Sequence, residues 1–180
     1  MRPMSVLLVT AWLVCVAPAM PAVADSCDAF TWNLAHERSL FASTPSRLSA
    51  GKDAASAPPV DVDRLYELSL SPSTEVHLPV TPGRKRDGEA TSAGIVRVHV
   101  ARAGLYRVSL SEGDWIELVH DGTALPSGDH EGQHECSAPR KVVQFQLPAG
   151  DLLVQLSAAM SATVRLTITP APPSSGAPAK

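Results

Sequence analysis

Three runs decide the fold: Ile95-Val96-Arg97-Val98-His99-Val100, then Leu105-Tyr106-Arg107-Val108-Ser109-Leu110, then Trp115-Ile116-Glu117-Leu118-Val119. Arg102-Ala103-Gly104 and Glu112-Gly113 separate them. Apolar side chains recur at every second position, so each run has one face for a core and one for water or a covering segment. The turns between them leave no room for helices, and the reading is a closely spaced antiparallel meander. Downstream the pattern returns in Val142–Leu147, after Pro148-Ala149-Gly150 in Leu152–Leu156, and in Thr163–Ile168. Upstream it extends to Leu65–Leu70 and Val76–Val80. About eight short strands make the chain mainly β, an antiparallel β-sandwich or jelly roll. The positions expected to face the core are Val96, Val98, Val100, Tyr106, Val108, Leu110, Ile116 and Leu118, with Val143, Phe145, Leu147, Val154, Leu156, Val164, Leu166 and Ile168 completing the set.

Composition agrees. Of 180 residues 44% are hydrophobic and 18% charged, with 16 Pro and 11 Gly, which fits many short elements and excludes a coiled coil or a highly charged disordered chain. The formal net charge of -3 supplies no basic field for nucleic acid or an anionic membrane.

Ahead of the strands, Phe30, Leu34 and Phe41 fall at helical spacing, predicting one short amphipathic helix with Asn33 as N-cap and Glu37 in its first turn. Its apolar side is expected to plug one end of the β core. The organisation read from the chain is a leader at 1–24, an N-terminal helical segment at 25–42, an exposed connector at 43–63, the sandwich at 64–169 and a disordered tail at 170–180.

The leader reads as a signal peptide. Arg2 precedes the apolar run Val6–Val16, Pro18 and Pro21 interrupt it, and Ala22-Val23-Ala24 supplies small residues for cleavage before Asp25. The run is too short for a stable membrane anchor, so the expected location is periplasmic or secreted. Cleavage removes Cys15 and leaves Cys27 and Cys136, which an oxidising compartment pairs as a disulfide. Closing a loop of roughly a hundred residues stabilises by about 4 to 5 kcal/mol on chain-entropy grounds.

Chemistry is sparse. The densest polar cluster runs from His120 to Cys136, where His130 and His134 stand at i, i+4 with Glu131 between them, spelling His-Glu-x-x-His. On a helix that spacing holds zinc with the Glu as general base, but Gly128 and Gly132 place it in a loop between strands. His130 and His134 are therefore the candidate metal ligands, expected to bind weakly. Ser109, Ser111 and Ser157 lie in or beside strands, outside any Gly-x-Ser-x-Gly elbow. Glu112, Asp114 and Glu117 form an acidic turn without the EF-hand pattern. Trp32, Tyr106 and Trp115 are candidates for a carbohydrate-binding face, with core packing the plainer reading. Arg84-Lys85-Arg86 reads as a solvated turn because Asp87 and Glu89 follow it.

The run Ala103–Leu110, followed by Asp114-Trp115-Ile116-Glu117 and Leu147-Pro148-Ala149-Gly150, resembles the strands of bacterial pre-peptidase C-terminal-type β-sandwiches. With Cys27, Trp32, Glu37, Leu40-Phe41 and Arg140–Phe145, residues 25 to 169 resemble small uncharacterised periplasmic proteins of proteobacteria. Some of these carry a homogentisate dioxygenase description, which implies an iron enzyme of the cupin type; the His-x-His pair of that family does not occur in this chain. The resemblance implies a fold and names no reaction. The expectation is an exported non-catalytic binding protein with no catalytic set and no cofactor, whose partner is an envelope protein, a glycan or a small ligand. A small secreted metal-dependent enzyme, a hydrolase using His130, Glu131 and His134 or a dioxygenase, is the alternative.

Overall fold

The structure is a computed structural model and describes residues 26–84, 86 and 88–172. The leader and the tail from 173 onward lie outside the described residues. Twelve strands among them form two sheets of six. The long strands are β5 (Ser92–Val100), β6 (Gly104–Leu110), β7 (Trp115–His120), β10 (Lys141–Leu147), β11 (Gly150–Ala159) and β12 (Thr163–Pro170). Shorter ones are β1 (Ser46–Ser49), β2 (Pro59–Val60), β3 (Tyr66–Ser69), β4 (Ser71–Pro72), β8 (Thr123–Ala124) and β9 (Ser127–Gly132). One sheet has the order β1-β3-β12-β6-β10-β9, and the other β2-β5-β11-β7-β8 with β4 also on β5.

The class expected from the sequence is the one observed, a β-sandwich with a short N-terminal helix, but its wiring differs. Strands β5, β6 and β7 do not form a meander: β5 and β7 both pair with β11, whereas β6 pairs with β10 and β12 in the opposite sheet. The chain thus crosses between sheets at each turn, and β10–β11–β12 crosses back between the same partners. Most pairs are antiparallel, but β1 on β3 and β2 on β5 are parallel, so the sheets are mixed.

All sixteen expected core positions are buried, joined by Leu68, Leu152 and others in one continuous core. The connector expected at 43–63 contributes β1 and β2 and buries Ala57 and Val60. Val76–Val80 is not a strand. It crosses the outer face of the second sheet as a strap held by the Gln155 side chain, which donates to the Val80 carbonyl (3.1 Å) and accepts from its N–H (3.2 Å). A side-chain amide here takes the place of a strand neighbour, satisfying the peptide without edge pairing.

The helix α1 (Ala35–Phe41) begins two residues after Asn33, whose Oδ1 accepts the Ala35 N–H at 3.0 Å. It covers the outer face of the first sheet instead of plugging an end. Glu37, 2% exposed, accepts from Arg107 on β6 (3.2 Å) and from Thr169 on β12 (3.0 Å), two residues that alternate with core positions. Arg107 also donates to the Asn33 carbonyl (2.9 Å) and lies 5.0 Å from the Trp32 ring centre. Cys27 and Cys136 form the expected disulfide, with 5.0 Å between their Cα atoms, pinning the N-terminal segment to the loop after β9. Such a bond marks an oxidising setting outside the cytoplasm. Among the described residues no helix is long and apolar enough to cross a membrane.

Candidate functional site

Strand β9 is the outermost strand of its sheet and pairs only with β10. In the facing sheet β8 covers only the Val119–His120 end of β7, so the Trp115 end, paired with β11 on one side, has no strand on its other side among the described residues. Between these two edges the sandwich opens into a cavity of about 500 Å³. Trp115 and Ile116 on one side and Val143 on the other give it apolar walls.

The polar lining includes four cations, Arg84, Arg86, Arg140 and Lys141, beside Ser127, His130, Glu131, Gln133 and His134. The topology delivers the cations from two distant stretches. Arg84 and Arg86 follow the strap, which is clamped where the Gly83 N–H donates to Glu117 at 2.7 Å and Glu117 in turn accepts from Gln155 at 3.0 Å. Gly83 passes so close to Trp115 that a Cβ there would sit 3.1 Å from the indole nitrogen, so a side chain at this position would press the ring out of place by a few tenths of an ångström. Lys141 opens β10. Its ammonium donates to the Asp114 carbonyl at 2.7 Å and lies 5.2 Å from the Trp115 ring centre. Arg140 reaches Glu112 at 3.5 Å and donates to His134 Nδ1 at 3.2 Å.

Electrostatics at this corner are strained. Burial lowers the Lys141 pKa and the nearby Arg84 charge lowers it further, while Asp114 and Glu117 pull it back up. Asp114 lies behind the cavity, 3% exposed, with Oδ2 unpartnered among the described residues. Its pKa is pushed up to about 6, chiefly by burial and then by Glu112, against the opposing pull of Lys141, Arg140 and Arg86.

The sequence candidates fare unevenly. His130 lies on β9, not in a loop, opposite Val143, and so faces the gap between the sheets; His134 lies in the turn beyond, and both line the cavity. Glu131, opposite Val142, turns to the outer face. There its carboxylate accepts from the Thr31 N–H (2.8 Å), the Trp32 N–H (3.3 Å) and the Thr31 hydroxyl. The Glu between the two histidines is thus a clasp for the N-terminal segment. Among the described residues no three His, Cys, Asp or Glu side chains converge as a metal site.

The Ser109 and Ser157 hydroxyls are buried and unpartnered among the described residues, and Ser111 accepts the Arg165 N–H at 2.9 Å. Glu112, Asp114 and Glu117 do not act as one site, since Glu117 is engaged with the strap and Glu112 with Arg140. The three aromatic candidates do not share a face: Tyr106 is in the core, Trp32 stacks on Arg107, and only Trp115 walls the cavity. Arg84 and Arg86, expected in a solvated turn, line the cavity with Arg140 and Lys141, a set the sequence reading missed. The available signal was two short basic runs, at 84–86 and 140–141, but nothing in their spacing joins them. Comparison of the chain with known protein families, curated protein sequences and solved structures gave no match.

Proposed function

We propose that the protein is an exported, non-catalytic β-sandwich of the periplasm that seats a ligand in the cavity between β9 and β7, serving binding, adhesion or envelope maintenance. The observation that carries this reading is the cavity itself, with apolar walls and convergent polar groups at an open sandwich edge. Export rests on the leader and on the disulfide.

A metal-dependent enzyme built on His130, Glu131 and His134 draws on the same wall. Against it stand the bonds these groups already make. The Glu131 carboxylate is occupied by Thr31 and Trp32, and the Nδ1 lone pair of His134 faces a guanidinium, which is a donor only. Calorimetry with Zn²⁺ separates the two readings. Binding weaker than micromolar, unaltered in His130→Ala/His134→Ala, is expected; stoichiometric submicromolar binding lost in that double variant overturns the binding-protein reading. Intact mass of the exported chain is expected to start at Asp25, and an uncleaved membrane-bound chain contradicts export.

A further inference from the structure

Resting on the cavity reading above, we propose that the ligand is a small organic anion held through a carboxylate or phosphoryl group by Arg84, Arg86, Arg140 and Lys141. The chain has 15 Lys and Arg against 18 Asp and Glu, so an average patch of its surface carries slight negative charge. The cavity reverses this. Four cations line it, and the one acidic residue in its wall, Glu131, points its carboxylate at Thr31 and Trp32 on the other face of the sheet.

The cations keep donors to spare. Arg86 donates to the Ala158 carbonyl at 3.2 Å and reaches Glu89 at 3.5 Å, while Arg140 has one carboxylate at 3.5 Å and one imidazole. Each guanidinium carries five N–H groups, so these contacts leave N–H donors over for an oxyanion. Arg84 lies exposed at the rim, near enough to Lys141 for its charge to disfavour the ammonium. Like charges gathered beside the apolar surfaces of Trp115, Ile116 and Val143 repel more strongly than in open water, and an anion between them relieves that repulsion. The volume suits a small molecule, and the net negative charge of the chain disfavours a polyanion such as nucleic acid.

The test titrates glucuronate, glucose 6-phosphate and glucose into the protein, the first two separating a carboxylate from a phosphoryl group and the third removing the charge. Saturable one-site binding by at least one acid and none by glucose is expected, with affinity falling severalfold as salt rises from low ionic strength to about 0.15 M. Arg84→Gln and Arg140→Gln should each weaken binding about tenfold, the loss of one charge-assisted contact. Arg84 is exposed, so Arg84→Gln keeps the test valid if Arg140→Gln fails to fold. Failure of both acids to bind overturns the assignment. So does binding that ignores salt and Arg84→Gln, or glucose binding as tightly as the acids. Glucose binding in the cavity would leave it standing as a ligand site, whereas saturable binding mapped elsewhere removes the underlying reading as well.

Discussion

Asp114 carries the clearest pH consequence. Its carboxyl is buried beside Glu112, and the neighbouring cations only partly offset the loss of water, so its pKa lies at about 6 instead of 3.8. Between those two values the folded chain holds a proton that the unfolded chain has released, and stability falls as pH rises through that window. Above it the penalty is constant; below 3.8 it vanishes. Asp114→Asn keeps the shape and removes the charge, so it should stabilise by about 1 to 3 kcal/mol at pH 7 and by nearly nothing at pH 3.5, read from urea unfolding at both values. Equal effects at the two pH values would refute this account of the site. Glu37 with Arg107 shows the opposite solution to burial: there the charges meet each other, and Thr169 and the Asn33 carbonyl take up further bonds, which a buried pair requires.

The segment from Cys27 to α1 is fastened by the disulfide to the loop after β9, by the Glu131 carboxylate, and by Glu37 with Arg107 and Thr169 on the sheet beneath it. Replacing both cysteines by serine should lower stability by about 2 to 5 kcal/mol and raise amide exchange first around residues 27–34 and 133–140. Exchange rising evenly through β5, β6 and β11 would show that the bond supports the sandwich as a whole. The helix was legible from Phe30, Leu34 and Phe41, but only Phe41 of these lies within it; Leu34, not Asn33, stands at its N-cap, and the side it buries carries Glu37 beside Phe41. Strand β9 was not legible, because an edge strand wet on nearly every residue has no buried face to print a period of two. The strap misled in the other direction: Val76, Leu78 and Val80 alternate because they half-bury against a sheet face, and Pro79 among them, lacking an N–H, already weakened the case for a strand.

Alternation in β5, β6 and β7 identified Val98, Val108 and Leu118 as core residues because that requires only one inward face. It could not say that β6 belongs to the opposite sheet, since a tight hairpin and a crossing between sheets leave the same pattern in the side chains. The cavity was hidden for the same reason. Its cations come from the end of the strap and the start of β10, and only the strand order places those two stretches on one opening. Trp115 walls that opening while Trp32 stacks on Arg107 over the outer face of the other sheet, so the two indole N–H signals report on separate places. The most direct test of the cavity as the ligand site is to follow both signals by ¹H–¹⁵N NMR while titrating glucuronate or glucose 6-phosphate. The account predicts that the Trp115 signal moves to saturation and the Trp32 signal stays fixed; a saturating titration that moves Trp32 alone, or neither, would contradict it.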